Sequence, residues 1–496
     1  MASDREKPIS ADGVIQALEL DQCSFLVRAQ KFRISATAMR RSPIPMATEF
    51  AVRLVHLVPN ISPELIGEYF GFKDVETKVL LQDMLETGLV IENGGKLNLS
   101  GKGYEAVSPV SEEVEIFVRE EIATTQAFDL IALAPVDDEA MEQGFARFMH
   151  EVQIPDREKA ANAKSQIGRA FEDHFLEWRQ RHGGKGKSDD LRFETAEDVH
   201  PIKTFAAPFH IPIRYHLREP TGLEADFGPL QTRGRPGSRK ALIEVFSNRI
   251  SGIRAPTDYD DAFHKIGVID GGVMPRLDFT RADHQSSWLR QCIDAEAKEL
   301  THPYRPGLRL AGASCGQLAR AALLEWTRQQ IDSAEPAPVI WLPPSGDYWG
   351  RSFAFANIAR ELSAQETDGI VLLARNGLQP REARRWQRQF GKTDRHASLF
   401  DRCLGVSNEF PGSLEIILKP NNWCLVLVHV SDQNSKLPLP LGYISGDQVL
   451  VDAFTGLLAE VASSAPDASS ILWHRENETA VDALAVLDQA LKIETV

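Results

Sequence analysis

Gly312-Ala313-Ser314-Cys315-Gly316 is the stretch whose residue types and spacing come nearest to catalysis. It fits G-x-S-x-G between a strand pattern and a helix pattern, the setting in which a tight turn lifts a serine nucleophile above a sheet. Ser314 is then the candidate nucleophile, and Gly271 or Gly272 would help form an oxyanion hole. Its partners are missing from their expected places. After the strand ending near Arg375, where an acid belongs, stand Asn376 and Gln379, and the candidate histidines His396 and His429 have no distinguishing context. Small residues favour any strand-to-helix turn, so the motif also reads as turn chemistry alone. Gly186-Lys187-Ser188 ends like a phosphate-binding loop, but Arg181 stands where the leading glycine belongs and a helix pattern precedes it, which leaves a flexible linker. Asp294, Glu296 and Lys298 have the acid and lysine types that hold Mg²⁺ in nucleases, yet they fall inside a predicted helix. The five cysteines are scattered without a C-x-x-C pair. They read as reduced thiols of a cytoplasmic protein, and neither a metal nor a cofactor is expected.

The other available chemistry is contact with phosphate. Arg28, Lys31, Arg33, Arg40 and Arg41 lie in a segment with no acid between Asp21 and Glu49. Arg233 and Arg235 sit in a Gly- and Pro-rich loop over 222–237, and Arg384, Arg385 and Arg388 belong to a basic run that includes Trp386, a candidate for stacking on bases. The whole chain opposes this: its net charge is -15 and its pI about 5.4, so any nucleic-acid site must be a local patch. No apolar run is long enough to span a bilayer, so no membrane partner is expected.

Those residues are positioned by elements that can be read in order. A helix pattern runs from Thr48, its expected cap, to Val58, with Phe50, Leu54, Leu57 and Val58 on one face. Ser62 caps a second helix with Pro63 at its first position and Gly71 at its end. Asp74 opens a third, carrying Val75, Val79, Leu80, Met84 and Leu85 and closed by Gly88. Two short strands follow, joined at Asn93-Gly94-Gly95 as a hairpin. Three helices and a hairpin resemble a winged helix-turn-helix over about 65 residues. That resemblance implies DNA contact through the third helix and the wing, by Lys73, Lys78, Gln82 and Lys96, aided by the basic segment before it. The same third helix offers Asp74, Glu76, Asp83 and Glu86, which phosphate repels, so a protein-docking module is the alternative.

Beyond it, acids interleaved with apolar residues over 112–122 predict an amphipathic helix, and Ile167, Phe171, Phe175 and Trp178 predict a long helix from Glu158 to Arg181. Phe209 to Tyr215 alternates as a strand, Ile266 to Ile269 reads as another, and strand and helix patterns alternate from Leu308 onward. The fold class expected is α/β in a multidomain chain. A basic leading arm covers 1–43, the winged helix 44–109 and a helical connector 110–199, with a linker near 182–190. A mixed region follows over 200–300, then an α/β layered domain with a mostly parallel sheet over 301–460 and a tail helix over 461–496. The elbow residues resemble those of α/β-hydrolases. The order of elements from Leu308 to Asn434 resembles phospholipase-D-like nuclease domains, but no histidine is followed by lysine two residues on, and Phe410-Pro411-Gly412-Ser413 stands where that motif would fall. A winged helix joined to a nuclease-like domain without its motif resembles accessory subunits of bacterial phage-defence systems. The expected function is binding of DNA or a DNA-bound protein without chemistry, within a multi-subunit assembly. A hydrolase using Ser314 and a docking scaffold that touches no nucleic acid are the alternatives.

Overall fold

The computed structural model describes residues 17–42, 44–107, 116–137, 144–182, 191–216, 222–231, 237–270, 281–299, 308–328, 337–366, 368–393 and 396–492. Residues 17–42 of the expected leading arm form the central strand of a sheet. Ala17–Ser42 runs unbroken for 26 residues and pairs antiparallel with Ile116–Asp129 on one side and Leu191–His216 on the other. Short strands Pro135–Val136 and Leu223–Ala225 complete the edges. Four register shifts along the Ala17–Ser42 and Leu191–His216 pair absorb the twist of so long a ribbon. One strand thereby serves two cores: Leu18, Leu20, Phe25 and Val27 pack into the main core, while Phe32, Ile34, Ala36 and Ala38 pack with Ile167 and Phe171 in a second.

The helix expected over 112–122 is instead strand where described, because Ile116–Asp129 finds fourteen partners on the central strand and Glu120 meets Arg40 across it. The long helix expected from Glu158 is three, Arg157–Ala161, Ala163–Asp173 and Phe175–His182, broken at Asn162 and His174. Their apolar side packs with the ribbon, so the described residues expected as a connector, 116–137, 144–182 and 191–199, lie in or against the sheet. The strand expected at Ile266–Ile269 is the end of the helix Tyr259–Asp270, whose Ala262 and Ile266, one turn apart, enter the main core.

The second sheet has eight strands in the order Ile471–Trp473, Arg402–Val406, Ile370–Arg375, Val339–Leu342, Leu414–Lys419, Trp423–Ser431, Pro438–Ser445, Leu308–Ala311. Only the Val339, Ile370 and Arg402 strands run parallel to their neighbours; every other pairing is antiparallel. The mostly parallel sheet expected from strand and helix alternation is therefore corrected to a mixed one. Helical crossovers Phe353–Gln365 and Pro380–Phe390 make the parallel pairs, whereas short turns through Asn421 and Lys436, both at positive φ, force the later strands back on themselves. The strands Val339–Leu342, Ile370–Arg375 and Leu414–Lys419 are buried at every position, as both-face coverage by helices requires. The expected tail contributes the edge strand Ile471–Trp473 before its helix, Ala480–Leu491, docks.

Residues 44–107 are inserted where Ser42 leaves the ribbon; the chain returns at Ile116, paired with Ser42. Helices Met46–Leu57, Pro63–Phe70 and Asp74–Glu86, the hairpin Val90–Asn93 with Lys96–Leu99 and the short helix Gly101–Ala106 enclose a separate core. Ser62 caps the second helix by accepting the Leu65 amide at 3.4 Å, and Gly94 and Gly95 hold φ of 60° and 72°, the pair of left-handed residues that a two-residue hairpin turn needs. The first helix starts at Met46 and Thr48 is buried within it, while the third is capped at Lys73, whose amide reaches Glu76 at 2.8 Å.

Candidate functional site

The first helix of the inserted module buries a different face from the one its apolar pattern predicts, and the second and third bury only part of theirs. In the first helix Ala51, Val52 and Val55 enter the core, and Met46, Phe50, Leu57 and Val58 stand outward, with Met46 73% and Leu57 75% exposed. The third helix buries Thr77, Leu80 and Met84 and leaves Val75 73% and Val79 56% exposed. Leu65, Tyr69, Leu85, Ile91 and Tyr104 are also exposed. Eleven of the eighteen large apolar side chains exposed among the described residues thus belong to this one small module. Its charge is acidic, with nine carboxylates against five lysines and arginines. Exposed large apolar side chains are thus more frequent here than on the rest of the described surface.

The candidate nucleic-acid residues are dispersed. Arg28 and Arg33 are exposed on the central strand and Lys31 is half-buried; Arg28 lines a cleft of about 690 Å³ beside Arg157 and Glu151. Arg40 donates to Glu120 at 2.9 Å. The Arg41 side chain, Arg233 and Arg235 lie outside the described residues. Lys73, Lys78, Gln82 and Lys96 are exposed on the module, with Gln82 donating to Glu86 at 2.7 Å. On the helix Pro380–Phe390, Arg384 and Arg388 are exposed while Arg385 bonds Asp347 and Glu382. Trp386 is not a stacking platform: it packs on Phe390 and its indole donates to the Arg375 carbonyl at 3.0 Å.

Ser314 is buried, and no described histidine or carboxylate bonds it. The glycines around it answer to backbone packing, since the Ala313 amide donates to Leu20 of the ribbon at 2.8 Å and a Cβ on Gly312 would stand 2.6 Å from that same oxygen. Gly271 and Gly272 lie outside the described residues, as do the linker 183–188 and the side chains of Asp294, Glu296 and Lys298, whose backbone is helix. It is the next residue, Cys315, that faces polar groups, with its Sγ 3.6 Å from Asp21 Oδ1.

There the end of the second sheet gathers a set of side chains of which the sequence had singled out only His429. Glu415, fully buried, accepts from the indoles of Trp341 at 2.9 Å and Trp349 at 3.0 Å, and its other oxygen lies 2.8 Å from His429 Nε2. His429 Nδ1 stands 2.9 Å from the Tyr348 hydroxyl. Burial, with the Glu415 and Asp21 charges, pushes the Tyr348 phenol well above its usual range. Burial raises the Asp21 carboxyl to about 6, against the lowering pull of the Gln22 amide and Cys315. Arg375, buried beside them, donates to the Phe410 and Leu414 carbonyls, both at 2.9 Å. The crossover helix Phe353–Gln365 begins here, but its first amides are taken: Phe353 N–H by Ser24 at 2.9 Å, Ala354 N–H by Gln22 at 3.2 Å and Phe355 N–H by Ser352 at 3.0 Å. The anion site that such a helix start offers at a switch in strand order is thus filled by the ribbon. The tyrosine, histidine and glutamate have the spacing of a nucleophile, base and orienting acid, yet three strong donors converge on Glu415 deep in the core, which also makes it a structural knot. The only signal in the sequence was a charged or polar residue, Glu415 and His429, inside an apolar strand run.

Among the described residues no group of three or more histidine, cysteine or acidic side chains is arranged to hold a metal ion, and no helix is long and apolar enough to cross a membrane. No protein-family model, curated protein or solved structure matches the chain.

Proposed function

We propose that this protein is an accessory subunit that works by docking, and that residues 44–107, the segment resembling a winged helix-turn-helix, hold a protein partner. The observation that carries this reading is the outward apolar side of the first helix, Met46, Phe50 and Leu57, with Val75 and Val79 likewise outward on the third. A helix with apolar residues on two faces buries one in its own core and offers the other. In the setting that the resemblance implies, the partner is DNA-associated and the assembly is a cytoplasmic phage-defence system. The test is co-purification from the native cells of the tagged chain and of a Met46→Ser, Phe50→Ser, Leu57→Ser variant. A protein recovered in stoichiometric amount with the first and lost from the second is the expected result; equal recovery overturns the reading.

A second reading, direct DNA contact, is favoured by one observation: Lys73, Lys78 and Lys96 are exposed on the third helix and the hairpin. It requires duplex binding that weakens steeply with salt and with reversal of those lysines to glutamate.

A further inference from the structure

Between helices Tyr259–Asp270 and Gln448–Ala462, closed at one end by residues 408–411, lies a groove of about 770 Å³. Its floor is apolar, formed by Ile269, Phe410, Ala453 and Leu457, with Val268, 75% exposed, at the lip. Its rim is acidic. Asp258 is committed to the fold, accepting the Gly412 and Ser413 amides at 2.5 and 2.9 Å, which fixes the closing segment to the second sheet. Asp261 and Glu409 are exposed and have no hydrogen-bond or ion-pair partner among the described residues. The groove's own lysine shows what chemistry it holds: Lys265 Nζ lies 4.0 Å from the centre of the Phe410 ring and 3.9 Å from a Glu460 oxygen. An ammonium over an aromatic face with a carboxylate beside it is a favourable pairing where water is partly excluded.

We propose that this groove binds a short peptide segment of a partner protein in which lysine or arginine alternates with apolar residues, Asp261 and Glu409 receiving the cationic heads. The charge selects the partner: carboxylates at the rim repel phosphate, and the aliphatic stems of lysine and arginine cover an apolar floor while their heads reach out to acids. The volume suits a few residues rather than a whole helix. This site is separate from the 44–107 module and does not depend on it.

The test is fluorescence anisotropy of the full chain with a fluorescein-labelled, end-blocked octapeptide alternating leucine and arginine. The comparison peptide has glutamate for arginine, and the protein variant is Asp261→Asn with Glu409→Gln, both exposed positions that leave the fold intact. Expected are salt-sensitive binding of the arginine peptide, no binding of the glutamate peptide, and a loss of about fivefold or more in the variant. Absence of binding, equal affinity for both peptides or an unchanged variant overturns the proposal. Displacement of the peptide by spermidine at equal affinity overturns it too, by assigning the groove to a free polyamine.

Discussion

Glu415 shows how much of this molecule hangs on single buried groups. Its buried carboxylate bonds two indole N–H groups and the His429 ring. Glu415→Ala leaves both indole N–H groups and the His429 ring without their buried acceptor, and a loss of about 3 kcal/mol or more is expected, read as a lower urea midpoint. Tyr348→Phe removes one hydrogen bond and should cost about 1 kcal/mol. Asp21 makes the opposite case. Its folded carboxyl, raised to about 6 by burial, holds its proton more tightly than the unfolded chain does, whose ordinary value is 3.8. The stability it allows is therefore full below about pH 4 and falls as pH rises through 6, by no more than about 3 kcal/mol. Asp21→Asn should flatten that fall. Urea midpoints measured from pH 4 to 7 for both proteins check it, and parallel curves would contradict the burial of this carboxyl. Ser314 was the most conspicuous residue in the sequence for its motif, whereas the cluster containing His429 has no motif, because it joins four distant segments.

At the scale of elements, the sequence was legible where local chemistry decides and opaque where packing does. The Ser62 cap, the Gly94-Gly95 turn and most strands after Leu308 follow from residue type and period. Which face of the first helix enters a core does not, since Phe50 and Leu57 are as apolar as Val52 and Val55 and periodicity alone cannot choose between them. The central ribbon reads as a basic arm because Arg28 to Lys31 interrupts its apolar pattern, and only pairing with two long neighbours carries the strand through. The direction of the sheet was missed because helix and strand alternation ends at Phe390 and hairpins follow. Two substitutions probe this level. Gly316→Ala puts a methyl group into the Leu20 carbonyl of the ribbon and is expected to cost about 2 kcal/mol or more, since backbone must move. Met46→Ser, Phe50→Ser and Leu57→Ser, on an outward face, are each expected to change stability by less than about 0.5 kcal/mol. A large loss in the latter set, seen by thermal unfolding, would mean that the face is covered within the chain.

For the whole molecule, charge and apolar exposure point the same way. The chain carries -15, its inserted module is acidic, and its scattered arginines include pairs such as Arg40 with Glu120 and Arg385 with Asp347. Reversal of Arg40, Arg41, Arg384 and Arg385 to glutamate is accordingly expected to leave partner recovery unchanged, as scored by co-purification. In the proposed function the outward apolar side chains of residues 44–107 meet protein. The most direct measurement places a photo-crosslinking amino acid at position 50, and in a second protein at position 79, and irradiates living native cells. The expected result is a discrete protein adduct at both positions, a second copy of the chain included, that nuclease treatment leaves intact. A nuclease-sensitive adduct, or none at either position, would contradict the claim.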